Sequence, residues 1–162
     1  MSMTPTQQTA LEALAGRALT EGEVSSIGAM VDAWNTQGIA DALSVGRKAV
    51  RPRMTSARGI AELMPGGPAA AEVILMKLEA AAATMLASAD QPTKVTGSLL
   101  KRQLGFLAGE GLDFGSAALR GMLDQFAAAS ILASDEVAGL KAIAEQPDPI
   151  THMQVAHALQ GA

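Results

Sequence analysis

Cysteine is absent from the 162 residues, and the aromatic side chains are one tryptophan and three phenylalanines. Without cysteine there are no disulfides, no thiolate metal sites and no cysteine nucleophile. Val and Ile together number only 15, against 33 alanines. Alanine is the strongest helix former, whereas β-branched and aromatic side chains favour strands, so a β-sandwich or barrel is excluded. Charged residues are scarce too, at 17%, and hydrophobic residues make up 49%. That balance excludes intrinsic disorder and is enough for a core. The expected fold is all-α: seven or eight short helices in a compact bundle with an extended basic arm. The expected organisation is a single domain over residues 1–162, and 89–97 is where it would subdivide.

The net charge of −4 and a pI near 5.1 do not suit a molecule that binds nucleic acid through its overall charge. Five of the twelve basic residues, Arg47, Lys48, Arg51, Arg53 and Arg58, nevertheless fall within twelve positions that hold no acid. The opening MSMTPTQQTA has neither a basic nor an apolar signal-peptide region. The longest apolar stretch, 69–89, carries Glu72, Lys77 and Glu79, which argues against a membrane span. Synthesis in the cytoplasm, with no membrane partner, is the expectation.

Helix punctuation is frequent. Thr4 with Pro5 opens a helix that Gly16 closes. Thr20 to Glu23 forms a capping box, and the helix behind it carries Val24, Ile27, Val31 and Trp34 as a core-facing stripe. Thr36 is expected to cap a short helix through Ile39 and Leu43. A helix over 57–64 precedes the PGGP turn, and the longest one runs from 69 to 88. Further helices are expected from Ser98 to about 109, from Ser116 through Phe126, from Asp135 to Glu145 behind a Ser134 cap, and from Thr151 through Leu159. Leu19-x-x-x-Glu23-Val24 echoes Leu132-x-x-x-Glu136-Val137, each followed by a short helix. That echo fits either a duplicated two-helix unit or the convergence of capped amphipathic helices.

Catalytic chemistry finds no support, so neither an enzyme nor a cofactor is expected. His152 and His157 are five residues apart and cannot share a helix face as ligands do, which leaves surface or capping roles. Glu21/Glu23 and Asp135/Glu136 complement the positive end of a helix dipole. The glycine-rich run 109–115 follows a helix and lacks the Gly-Lys-Ser/Thr ending, so it reads as an interhelix loop. Met30, Met76, Met85 and Met122 read as core fillers, while Met54 and Met64 border the basic segment, where an adaptable partner surface would fit.

Folding least explains residues 47–55, RKAVRPRMT. Pro52 removes a donor and pushes Arg51 out of helical angles, so the segment is expected to be extended. Arg47, Lys48, Arg51, Arg53 and Arg58 are its candidate partner-binding residues. They suit a solvated arm, an arm docked on an acidic protein surface, or contact with a nucleic-acid backbone. The negative net charge and the lack of interleaved aromatics make nucleic acid the least suited.

Ile39-Ala-Asp-Ala-Leu-Ser-Val-Gly-Arg47, the basic segment, Gly59-Ile-Ala-Glu-Leu63 and Leu132 through Leu140-Lys-Ala-Ile-Ala-Glu-Gln-Pro-Asp-Pro-Ile150 together resemble one family. It comprises small helical proteins encoded in bacteriophage and prophage structural-gene regions, with an ALSxGR turn near the front and an LKALAExPDP segment near the end. The resemblance spans about 19–63 and 98–159, and its motifs are structural rather than catalytic. It implies a virion structural or assembly protein, tail- or neck-associated, that contacts other virion proteins or itself as a homo-oligomer. The alternative is a small phage regulatory or inhibitor protein that binds a host protein or nucleic acid.

Overall fold

Local capping sets most helix starts. Thr4 accepts from the Gln7 amide while the Gln7 side chain accepts from the Thr4 amide, which opens α1 (Pro5–Ala15). The same reciprocal box opens α2 (Glu21–Asp32) at Thr20 and α9 (His152–Gln160) at Thr151. Each box satisfies two amides that no helical carbonyl can reach. The computed structural model describes residues 3–162. The fold is all-α, with nine helices among those residues rather than seven or eight. Between the ones named lie α3 (Thr36–Ser44), α4 (Ala57–Leu63), α5 (Gly67–Ala87), α6 (Gln91–Ala108), α7 (Ala117–Ala128) and α8 (Ser134–Ala142). Four short strands complete the chain: β1 (Lys48–Val50), β2 (Met54–Thr55), β3 (Leu112–Asp113) and β4 (Glu145–Pro147). β1 bonds to β4 and β2 to β3.

Several boundaries differ from the sequence reading, each for a local reason. Helix α6 starts at Gln91 rather than Ser98, because Asp90 accepts from the Thr93 amide and Pro92 sits harmlessly in the first turn. Asn35, not Thr36, caps α3, and its side chain accepts from the Gly38 amide. Helix α8 includes Ser134 and is preceded by Ala133, whose amide donates to Glu136. Trp34 does not extend the stripe of α2. It takes a left-handed φ of 51°, with its amide on the Val31 carbonyl and that of Asn35 on Met30. This closes the helix with the bonding pattern that glycine usually serves, and the indole is left more than half exposed.

The chain divides into two units, one of Met1–Ala49 with Pro147–Ala162 and one of Val50–Gln146. Each has its own core. In the first, Leu11, Ile27, Ile39 and Leu43 pack with Ile150, Val155 and Leu159 from the far end of the chain. In the second, Ile60, Ile74, Leu78, Leu100, Leu123, Phe126 and Leu140 come from five helices. Salt bridges add to it: Lys77 of α5 pairs with Glu136 of α8 at 2.6 Å, and Arg120 of α7 with Glu145 of β4 at 2.9 Å. The division does not fall at 89–97. That stretch is the end of a tight turn and the first two turns of α6, and α5 and α6 approach so closely that a Cβ on Gly97 would stand 2.7 Å from the Met85 Cβ. The echo between α2 and α8 is not a repeated helix pair either. Helix α8 lies in the second unit, whereas α9, which follows it, lies in the first.

The glycine-rich run does more than connect α6 to α7. Strand β3 pairs antiparallel with β2, Met54 opposite Asp113 and Thr55 opposite Leu112. Gly111, at φ 92°, lies against the Thr55 backbone, and a Cβ on Gly115 would collide with the Arg51 carbonyl. Replacing Gly115 with alanine should therefore lower stability by about 1–3 kcal/mol, as forced overpacking does. Gly121→Ala, on a helix surface with open space around the added methyl, should raise it by up to about 1 kcal/mol. Chemical denaturation of both variants checks the pair.

Glu23 offers a pH test. Its carboxylate accepts from Arg17 at 2.5 and 2.9 Å and from the Thr20 amide and hydroxyl. The Arg17 bond first, then the Thr20 bonds, hold its pKa down from the ordinary 4.5 to about 2. A carboxylate depressed in the folded state contributes stability above its unfolded pKa and loses it as pH falls through the folded one. Glu23→Gln should flatten the decline in melting temperature between about pH 4.5 and 2, and an unchanged decline would refute that role.

Candidate functional site

The structure gives the basic segment a different part from that of a free arm. Its extended conformation is as expected, but it is built into both units. Arg47 and Lys48 belong to the first unit, and Arg51, Arg53 and Arg58 to the second. The segment thus crosses the division between the units.

Arg47 is half-buried. Its Nε donates to Asp148 Oδ2 at 3.0 Å, and one terminal nitrogen donates to the carbonyls of Leu14 and Ala15 at 2.7 and 3.2 Å. Those carbonyls end α1, where helical acceptors have no helical donor and a cation meets the negative end of the dipole. The Arg47 carbonyl in turn accepts from the Asp148 amide. One position earlier the chain turns: Gly46 takes a φ of 72°, and Ser44 Oγ accepts from the Ile150 amide at 2.8 Å. The A-L-S-x-G-R and P-D-P-I strings, a hundred residues apart in sequence, thus form one polar clasp in the first unit.

Arg53 serves a matching purpose in the second. Its amide donates to Asp113 Oδ1 at 2.7 Å, its carbonyl accepts from the Phe114 amide, and its guanidinium donates to the Ile143 carbonyl at 3.0 Å. Asp113 Oδ1 also accepts from the Gly115 amide. The Arg51 amide donates to the Ala144 carbonyl, so residues 51–53 are held between the glycine loop and the end of α8. Lys48 and Arg51 are exposed but engaged within the chain. Arg58 reaches Glu62 one turn along α4, with its side chain 89% exposed. Solvent screening makes such a pair worth little.

Other sequence readings move as well. Met64 is buried in the core of the second unit, and Met76 stands exposed on α5 rather than filling that core. Met54 is exposed. His152 and His157 lie exposed at the two ends of α9, His157 in the last turn, where its charged form would complement the dipole. Among the described residues, no group of three or more His, Asp or Glu is gathered as metal ligands, and no helix is long and apolar enough to cross a membrane. The second unit's core holds a cavity of about 30 Å³, lined by side chains such as Ile74, Leu104, Phe114 and Met122. It is apolar and far smaller than a ligand pocket.

What the sequence reading missed is the outer side of α6. Val95, Leu99 and Phe106 are 59%, 52% and 44% exposed there, opposite the buried Leu100 and Leu107. Their i, i+4, i+11 spacing is a signal on its own, but with the helix started at Ser98 it loses Val95. No family model, curated protein or solved structure matches the chain.

The arginines should separate by role. Arg47→Ala removes its bonds to Asp148 Oδ2 and to two helix-end carbonyls, so it should cost about 1–3 kcal/mol. Arg58→Ala should stay within about 0.5 kcal/mol. Denaturant midpoints measure both, and equal effects would contradict the assignment.

Proposed function

We propose that this chain is a bacteriophage virion structural or assembly protein, tail- or neck-associated, that works through protein–protein contacts and not through catalysis. The observation that carries this reading is the set of large apolar side chains left on the surface of the second unit. Val73, Met76, Val95, Leu99 and Phe106 are each more than two-fifths exposed, on two consecutive helices. Solvent-exposed apolar area of this extent on a small protein suits burial against another protein.

The resemblance to phage structural-region proteins supports the same reading. Its motif residues Arg47 and Asp148 bond to each other, Ser44 bonds to Ile150 and Gly46 makes the turn between, as expected of a family that shares a scaffold. The alternative, a regulatory protein that binds a host factor, draws on Lys94, Lys101 and Arg102, a cationic set on α6 with no acid in that helix.

Mass spectrometry of purified virions of the encoding phage distinguishes the two. An assembly protein is recovered at the copy number of a structural component. A chain confined to the soluble fraction of infected cells overturns the proposal and favours the alternative.

A further inference from the structure

Helix α6 is apolar on two sides. Leu100 and Leu107 are buried in the core of the second unit. Val95, Leu99 and Phe106 point away from it, and with Arg102 they recur at i, i+4, i+7 and i+11, within about 60° of one another around the axis. This outer stripe runs about 16 Å along the helix. Every charge on α6 is positive: Lys94, Lys101 and Arg102. Lys94 and Lys101 lie seven residues apart on one flank of the stripe, two turns or about 10 Å.

Helix α5 presents the complement. Its outward side carries Val73 and Met76, 48% and 60% exposed, followed by the exposed Ala80 and Ala83. Its charges are Glu72, Lys77 and Glu79, and Lys77 is committed to Glu136 at 2.6 Å. That leaves Glu72 and Glu79 on the flank of the stripe, again seven residues apart. The apolar stripes, the sign of the flanking charges and the spacing of those charges thus match between the two helices. Glu79 and Lys101 line one shallow groove between α5 and α6, so the two flanks adjoin on one surface.

We infer that this surface is where a second copy of the chain docks, with α5 of one copy against α6 of the other. The inference deepens the assembly reading and rests on it. A surface whose halves are complementary to each other is what a two-fold or a head-to-tail contact between identical chains needs. An acid-flanked stripe facing a base-flanked one also fixes the register and opposes pairing of like helices.

The test is sedimentation velocity on the full chain over a concentration series. It uses the wild type, Glu72→Lys/Glu79→Lys, Lys94→Glu/Lys101→Glu, and an equimolar mixture of the two variants. Wild type should self-associate, and more weakly as salt rises. Each charge variant alone should associate about tenfold or more weakly, since like charges then face each other. The mixture should recover the wild-type behaviour, because each variant supplies the sign the other lacks. Recovery on mixing is a readout that simple destabilisation would not produce. Circular dichroism reports folding, and if a charge variant does not fold, Leu99→Ser/Phe106→Ser decides instead: it alters exposed positions only and should abolish association with helicity intact.

A wild type that stays monomeric, variants that associate as wild type does, or a mixture without recovery overturns the inference. So does binding to phosphatidylserine vesicles that Lys94→Glu/Lys101→Glu abolishes, in a chain that does not self-associate. That result would make an anionic lipid surface the occupant. A monomeric chain still recovered from virions overturns only the self-docking surface. A self-associating chain absent from virions overturns only the assembly reading.

Discussion

A unit built from the two ends of its chain must close a loop of about a hundred residues, and closing it costs conformational entropy that local contacts cannot return. The contact between Arg47 and Asp148, 101 positions apart, is where that closure becomes directional. Apolar burial of Ile150, Val155 and Leu159 against Leu11, Ile27 and Ile39 supplies the driving force. It does not by itself specify the path of the returning strand. Arg47 does so because its planar fork bonds a carboxylate through Nε and two helix-end carbonyls through a terminal nitrogen, in a fixed geometry that a lysine's single nitrogen does not offer. The ordering of the first unit, including the end of α1 and the approach to α9, depends on that junction.

The second unit uses the same device with different parts. Asp113 accepts from the amides of Arg53 and Gly115, and the Arg53 guanidinium caps the carbonyl of Ile143 at the end of α8. Backbone groups in an extended segment need partners as much as those in a helix. The glycine-rich loop can approach closely enough to provide them only because Gly111 and Gly115 carry no side chain. Arg47 and Arg53, which look like part of an unused binding arm in one dimension, are in three the donors that satisfy helix ends.

That reassignment moves the surface we propose for docking. With Arg53 engaged internally, the outward-facing groups of the second unit include the apolar stripes of α5 and α6 with their opposite charges. A helix with a second apolar side is costly to leave in water, and pairing with a helix whose flank carries the opposite sign offers a specific means of covering that side.

Features determined within a few residues were legible in the sequence. The caps at Thr4, Thr20, Ser116 and Thr151, the all-α composition and the extended path around Pro52 each follow from hydroxyl-to-amide bonding, alanine content or a fixed φ. Local signals with two meanings were harder. Asp90-Gln91-Pro92 reads as a break, yet an aspartate followed by a first-turn proline also begins a helix. Trp34 continues the stripe of α2 by spacing, but the backbone turns left-handed under it. The partners of Arg47 and Arg53, the division of the chain at 49/50 and 146/147, and the choice of which apolar side of α6 faces the core were decided only by tertiary structure. The physical reason is that a cation, a strand or a second apolar stripe carries no record of what lies opposite it. Segments as far apart as residues 47 and 148 become neighbours only when each core closes.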